Sequence, residues 1–275
     1  MDCLDSVPAA PARTMLGLDF DGTLAPIVPD PEQAWIHPGS AAALARLVGR
    51  VGTVAVITGR PARTAVRLGG FDRLAAPAEG SFLVLGQYGV ERWDAATGEY
   101  AEPPVPAAIT AAAAELPELL ARLDCGAAHV EDKGRAVAVH TRRMPDPDAA
   151  FTRLYEPVAE LADRHGLRLE PGKQVLEIRA AGVDKGDALA GLVAQRQPAT
   201  VVFCGDDRGD LAAFRWVHEW AREAPGERQG CCVFASAGVP SPLETEADVV
   251  VRGADGIATR LTGLADALES AHTCQ

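Results

Sequence analysis

Short, continuous apolar runs place the strongest constraint on how this chain can fold. Runs of this length without polar alternation suit strands that are buried on both faces, as in a parallel sheet covered by helices. Most are followed by Gly, Asp or Thr and then by helical spacing of apolar residues, as in 40–49 and 184–195. The order predicts an α/β fold with a doubly wound parallel sheet. The runs are MLGLDF (15–20), TVAVIT (53–58), FLVLG (82–86), TVVFCG (200–205), CCVFAS (231–236) and DVVV (248–251).

The middle of the chain has a different pattern. An Ala-rich helix interrupted at Pro117 is expected first, and a second helix over 148–166 is expected to kink at Pro157. Segments 136–142 and 175–180 alternate apolar and polar residues, which is typical of strands covered on one face only. These patterns therefore predict a small α+β unit in the middle of the chain.

These two patterns predict an inserted domain. We expect a core domain formed by 1–103 and 183–275, with an α+β domain inserted at 104–182. The first residues, 1–13, are rich in Ala and Pro and lack the basic start and apolar centre of a signal peptide, so we expect a loose tail.

Net charge limits the classes of partner. The chain carries −12, from 26 Lys and Arg against 38 Asp and Glu, which argues against nucleic acid or an anionic membrane as the main partner. No apolar run approaches the roughly 20 residues that span a bilayer. A cytoplasmic protein is expected, with a monomer favoured. The cysteines show no zinc-ligand spacing, and we expect them to be reduced and structural: Cys3, Cys125, Cys204, Cys231, Cys232 and Cys274.

The first candidate site residues are Asp19 and Asp21, at the end of the first apolar run. Residues i and i+2 of an extended chain face the same way, and the carboxyl edge of a parallel sheet is where α/β proteins place ligands. One carboxylate could attack phosphorus and the other could exchange protons with the leaving group and water. Two like charges this close require a divalent cation. Taken alone, the motif fits an Asx-turn after a strand equally well.

The segment GDDRGD (205–210) strengthens the catalytic interpretation. It follows another buried run, so it lies at the same edge of the predicted sheet. Asp206, Asp207 and Asp210 are more acids than helix capping requires. A Mg²⁺ site with oxygen ligands from Asp206 and the acids of the first run accounts for the surplus.

Two further residues could bind phosphate. Thr58 ends the second run, and its hydroxyl could instead be the N-cap of the next helix. Lys185 opens a predicted helix, where the helix dipole disfavours a cation unless an anion lies nearby. The alternative for Lys185 is a solvated surface lysine.

Taken together, these motifs resemble the haloacid dehalogenase-type phosphatases. The match covers most of the chain and includes DxDGT with Asp19 and Asp21, Thr58, Lys185, and GDDxxD with Asp206. By resemblance, Asp19 is the nucleophile, Asp21 the general acid/base, and Thr58 and Lys185 bind phosphate. Mg²⁺ is then held by Asp19, the backbone carbonyl of Asp21 and Asp206, with Asp207 or Asp210 supporting them. The inserted segment is similar to the cap domain of that family.

The residues of the insert indicate the substrate class, because the core recognises only the phosphate group. Glu131 and Lys133 in VEDKG, with Glu177 in VLEIRA, offer the acceptors and donors that sugar hydroxyls need. Without the family context they would read as a charged turn and an outward-facing strand residue. The arrangement resembles the trehalose-phosphatases, as do DGTLAPI, GQYGVE and VITGR, whose Arg60 is then assigned to substrate binding.

Two positions depart from that family's pattern. Tyr88 stands where its GxxGxE loop usually has His, and Gly209-Asp210-Leu211 stands where Thr-Asp-Glu is common. The resemblance implies Mg²⁺-dependent hydrolysis of trehalose 6-phosphate. The alternatives are another sugar-phosphate phosphatase and a catalytically silent module that binds a sugar phosphate.

Overall fold

A computed structural model of the chain describes residues 3–180 and 184–273. They belong to two compact units. Met1–Glu102 and Val183–Gln275 form the first, here called the core unit, and Pro103–Gly182 form the second, the insert unit. Among the described residues, no helix combines the length and apolarity needed to cross a bilayer.

The strands and helices are numbered in chain order. The strands are β1 (Thr14–Leu18), β2 (Thr53–Ile57), β3 (Phe82–Gly86), β4 (Glu91–Asp94), β5 (Tyr100–Ala101), β6 (His129–Asp132), β7 (Ala136–His140), β8 (Leu167–Gly172), β9 (Val175–Ala180), β10 (Thr200–Gly205), β11 (Gln229–Ser236) and β12 (Val249–Arg252). The α-helices are α1 (Pro38–Leu47), α2 (Ala62–Gly69), α3 (Ala107–Arg122), α4 (Pro147–Arg164), α5 (Lys185–Arg196), α6 (Leu211–Arg222) and α7 (Gly253–Thr273).

The core unit is built on one large sheet in the order β12-β11-β10-β1-β2-β3-β4-β5. The strands from β12 to β3 pair in parallel, and β4 and β5 extend the sheet as an antiparallel ribbon. The strand order reverses between β1 and β10, which is where doubly wound sheets open a crevice for ligands.

Side chains of the parallel strands alternate between two apolar cores. In β1, Leu16 and Leu18 pack into a core with residues of α1, α2 and α7, whereas Met15 faces the core formed with α5 and α6. Phe203 of β10 likewise joins the second core. Because both faces are covered, the strands need no polar alternation. The predicted α/β fold with a large parallel sheet is confirmed.

The insert unit contains an antiparallel sheet in the order β6-β7-β9-β8. Val137, Leu176 and Ile178 from the sheet share a core with residues of α3 and α4. The expected interruption of the first helix is wrong, because α3 runs through Pro117. That residue is exposed, so water can satisfy the carbonyl group that a proline leaves without a backbone donor.

Two expectations about the N-terminus and the cysteines are also wrong. Residues 3–13 form two short 3-10 helices, and Val7 is fully buried in the core rather than part of a loose tail. Cys3 and Cys231 are joined by a disulfide, whereas Cys125, Cys204 and Cys232 are free and buried. The sixth cysteine, Cys274, lies outside the described residues.

Candidate active site

The carboxyl end of β1 carries Asp19, and its backbone N–H donates to the carbonyl group of Cys204 on β10 at 2.9 Å. The chain then turns at Gly22, whose φ of +80° favours glycine. A Cβ at this position would lie 1.9 Å from Oδ2 of Asp206. Glycine is therefore required here for two reasons, the turn and the close approach of a carboxylate from the strand beside β1.

Three carboxylates from separate parts of the sequence converge at this edge. Oxygen atoms of Asp19, Asp206 and Asp210 all lie within 4.8 Å of one another, and we call these residues the acid cluster. Asp207, also predicted to support the metal, lies outside this group. Its Oδ1 accepts a hydrogen bond from the backbone N–H of Gly209 at 2.8 Å, so it caps the short turn after β10.

Lys185 lies inside the acid cluster. Its ammonium group donates to Oδ1 of Asp19 at 2.5 Å and to Oδ1 of Asp210 at 2.7 Å. An Asp184 capping box begins α5 at Lys185, and side chains in a helix tilt toward its N-terminus, which directs this lysine back to the sheet edge. Burial alone would lower the pKa of Lys185, but Asp19 and Asp210 raise it well above the ordinary value. The lysine is therefore charged and is not a solvated surface residue.

Asp210 is fully buried and has every carboxylate oxygen engaged. Besides its contact with Lys185, Oδ2 accepts from the backbone N–H groups of Asp206 at 3.0 Å and Asp207 at 3.2 Å. It thus fixes both the lysine and the turn that carries Asp206. Its position makes it a supporting residue, whereas Asp19 and Asp206 retain acceptor capacity for a ligand.

The acid cluster has more negative charge than its lysine balances. Burial raises the pKa of Asp19, with Lys185 opposing the rise, and burial together with the charges of Asp19 and Asp210 raises the pKa of Asp206. Both carboxylates are buried beside like charges, so a cation bound between them would favour their ionised forms. Hard oxygen ligands with surplus negative charge are the donor set that Mg²⁺ uses, so the residues present fit a divalent cation.

Thr58 and Arg60 follow β2 beside the acid cluster. The hydroxyl of Thr58 is buried and accepts from the backbone N–H of Arg60 at 3.1 Å, forming a local turn. Since α2 begins at Ala62 after Pro61, the alternative role of Thr58 as its N-cap is excluded. The Arg60 guanidinium donates from Nε and Nη2 to both oxygens of Asp21, at 2.6 and 2.7 Å.

The structure adds residues that sequence reasoning did not assign. Thr23, fully buried, places its hydroxyl 3.5 Å from Oδ2 of Asp19. Tyr88 has a φ of +59°, a strained conformation for a bulky residue, and its ring packs so closely on Gly59 that a Cβ there would lie 2.9 Å from the phenol. Glu91 accepts from the backbone N–H of Ala62 at 2.6 Å and so anchors the start of α2. In the sequence, Thr23 belongs to the DGT motif, and Tyr88 and Glu91 belong to the GQYGVE loop.

The predicted sugar-binding residues lie on one face of the insert sheet. Glu131 and Glu177 occupy the same cross-strand row, with Ala138 between them. Lys133 donates to Glu177 at 2.6 Å, and His140 contacts Glu131 at 2.8 Å. Because strand residues alternate between faces, this row is opposite to the side chains that pack on α3 and α4. The alternative prediction that VEDKG forms a charged turn is wrong for Glu131, which lies within β6.

Comparisons with known proteins agree with this geometry. The trehalose-phosphatase family model matches residues 17–240. Trehalose-6-phosphate phosphatase of Escherichia coli (strain K12) is 32% identical over 220 residues, covering 78% of this chain and 77% of that protein. In the solved C-terminal domain of the C. albicans trehalose-6-phosphate phosphatase, the TM-score is 0.73 at 19% identity, covering 96% of this chain and 95% of that one.

The fold extends to a wider group of solved structures. A haloacid dehalogenase-like hydrolase from Bacteroides thetaiotaomicron has a TM-score of 0.62 at 16% identity, covering 91% of this chain and 99% of that one. The chain therefore belongs to the trehalose-phosphatase family of phosphoric monoester hydrolases and has their haloacid dehalogenase-type fold.

Proposed function

We propose that this protein hydrolyses trehalose 6-phosphate to trehalose and phosphate, with Mg²⁺ as cofactor and an aspartyl-phosphate formed on Asp19. The observation that supports the proposal most is the acid cluster with Lys185 inside it, at the edge of the sheet where ligands bind. The family membership and the names of its relatives support the choice of substrate.

In the first step, a carboxylate oxygen of Asp19 attacks phosphorus and the bond to the sugar oxygen breaks. Lys185, already bonded to Asp19, holds the nucleophile in place and balances charge on the phosphoryl oxygens. The hydroxyl group of Thr58 offers a further donor to those oxygens once its proton turns toward them. Asp21 protonates the departing sugar oxygen.

In the second step, Asp21 takes a proton from water, which attacks phosphorus and releases Asp19. The same carboxyl group thus serves first as acid and then as base. Since Arg60 engages both oxygens of Asp21, one of these hydrogen bonds must lengthen when Asp21 carries the proton. Arg60 is therefore a positioning residue for Asp21 in this proposal, besides its expected contact with substrate.

The cofactor would be held by Asp19, Asp206 and the backbone carbonyl of Asp21, with Asp210 and Asp207 ordering the turn around Asp206. When bound, Mg²⁺ supplies the positive charge that lets two carboxylates and a phosphate approach one another. The remaining charge balance comes from Lys185.

Selectivity for the sugar is assigned to the insert unit acting as a cap domain. Glu131 and Glu177 lie two strands apart, roughly 10 Å, with the small side chain of Ala138 between them. Carboxylates accept from sugar hydroxyls, and Lys133 donates to them. Acceptors and a donor grouped on one face of the sheet suit a ring that carries several hydroxyl groups better than an apolar ligand.

A panel of sugar phosphates tests the proposed substrate. Purified protein with Mg²⁺ is expected to release phosphate from trehalose 6-phosphate with a higher kcat/KM than from sucrose 6-phosphate or glucose 6-phosphate. Chelation with EDTA should abolish turnover, and added Mg²⁺ should restore it. Equal or better turnover of another sugar phosphate would assign the protein to a different substrate, and turnover that persists after chelation would contradict the role of the cation.

A further inference from the structure

A second group of metal-ligating side chains lies apart from the acid cluster. His218 on α6, Cys232 on β11 and Asp248, the residue before β12, each present a ligand atom within 4.8 Å of those of the others. We call these residues the edge cluster. They belong to the core unit, and none of them takes part in the proposed reaction.

Backbone pairing explains how Asp248 reaches this position. Its N–H donates to the carbonyl group of Cys232 at 2.9 Å, and its Oδ2 accepts from the N–H of Cys232 at 2.7 Å. The carboxylate therefore lies beside β11, where it meets His218 Nε2 at 3.1 Å. The fully buried Cys232 thiol lies on the face of the sheet that α6 covers, next to the imidazole.

We propose that His218, Cys232 and Asp248 bind a zinc ion. One nitrogen, one sulfur and one carboxylate oxygen form a donor set that suits zinc, which takes four ligands in a tetrahedron. Bond lengths near 2.0 Å to nitrogen and oxygen place two such ligands about 3.3 Å apart, close to the observed separation of His218 and Asp248. The fourth position is left to water.

Chemistry and access favour zinc over magnesium at this site. Magnesium avoids sulfur ligands, whereas zinc binds thiolate and displaces the thiol proton of Cys232 when it binds. Asp248 and His218 have 38% and 26% of their side chains exposed, so an ion can enter from solvent. Cys3 and Cys231 also lie within 4.8 Å of Asp248, but their sulfur atoms are bonded to each other and offer no thiolate.

A site of this kind would join three separate elements. It would tie α6 to β11 and to the start of β12, which forms the edge of the large sheet. Zinc binding is expected to stabilise this edge by mass action without changing the residues that carry catalysis. The proposal is independent of the substrate, since the acid cluster contributes none of its ligands.

Cobalt provides the test, because Co²⁺ bound to thiolate absorbs in the near ultraviolet and Co²⁺ bound only to oxygen lacks this band. The oxidised protein, without reductant and with excess Mg²⁺ to fill the acid cluster, is titrated with Co²⁺. One equivalent should produce the thiolate band, and one equivalent of Zn²⁺ should remove it. Zinc affinity is then measured by competition with a chromophoric chelator.

Variants decide whether the edge cluster is responsible. Cys232→Ser should eliminate the band, and His218→Gln should weaken zinc binding at least ~10-fold. His218 is partly exposed, so that variant is informative even if Cys232→Ser fails to fold. Cys125→Ser removes another buried thiol, in the insert unit, and should leave the band unchanged. No thiolate band in the unaltered protein, unchanged binding in His218→Gln, or loss of the band in Cys125→Ser would overturn the proposal.

Discussion

The ion pairs of Lys185 in the core unit and of Lys133 in the insert unit differ in burial. In the core unit, side-chain exposure is 6% for Lys185, 5% for Asp19 and 0% for Asp210. In the insert unit, it is 27% for Lys133 and 16% for Glu177. Charges removed from water interact strongly, so separating them costs much free energy. Partly solvated charges interact weakly and exchange partners easily. The first environment suits fixed chemistry on a phosphate, and the second suits binding a hydroxylated ligand.

The largest expected effect follows from removing the nucleophile. Asp19→Asn keeps the shape of the side chain but cannot form an aspartyl-phosphate, so kcat should fall by at least ~10⁴-fold. Circular dichroism and thermal unfolding should show an intact fold. The matched control is Asp255→Asn on α7, whose side chain is 88% exposed and which should retain full activity. Activity that survives in Asp19→Asn would move the nucleophile elsewhere.

The difference in burial itself is tested by two lysine substitutions. Lys185→Met leaves Asp19 and Asp210 buried without a cation, and the free energy of unfolding should fall by about 3–5 kcal/mol. Lys133→Met breaks one partly exposed ion pair and should cost about 1 kcal/mol or less. Urea unfolding of both variants measures the difference. Equal losses would show that burial does not separate the two charged groups.

A smaller effect is expected from Arg60→Ala. Without the bidentate contact, Asp21 is no longer held in one orientation, and kcat should fall roughly 100-fold because general acid/base catalysis depends on position. Arg63→Ala is the control, since that residue lies mostly exposed on α2 and pairs with Glu102. If Arg60→Ala left kcat unchanged, Arg60 would have no positioning role.

The smallest effect is expected in the insert unit. Glu177→Ala or Glu131→Ala should lower kcat/KM for trehalose 6-phosphate roughly tenfold, the size of one lost hydrogen bond to a charged group. Hydrolysis of p-nitrophenyl phosphate should change little. Glu118→Ala, on the exposed surface of α3, serves as control. An equal loss on both esters would contradict a role in sugar recognition.

Most of the core unit could be predicted because its strands are marked by composition. Runs such as 54–57 are apolar throughout, and no other element fits so short a segment bounded by polar residues. β8 could not be predicted in the same way, because Pro171 and Gly172 within LRLEPG point to a turn. Pairing with β9 outweighs that local preference. The N-terminal segment is likewise fixed by the burial of Val7, a tertiary contact without a local signal.

The site shows a similar division. Positions of Asp19, Asp206 and Lys185 follow from strand ends and a helix start, so the sequence alone could bring them to one edge. The engagement of Asp21 by Arg60 could not be predicted, since it depends on the path of the loop after β2. The distinction between Asp210 inside the acid cluster and Asp207 outside it depends on one 3-10 turn. Local spacing places both acids on that turn but does not say which one is buried.

The central claim is that a phosphoryl group is transferred to Asp19, and the Asp21→Asn variant tests it most directly. With p-nitrophenyl phosphate, whose leaving group needs no protonation, the first step should proceed while the second lacks its base. We expect a burst of about one equivalent of nitrophenolate, and mass spectrometry of acid-quenched protein should find one added phosphoryl group on Asp19. A phosphoryl group on any other residue, or steady release of nitrophenolate with no phosphorylated protein, would contradict the account.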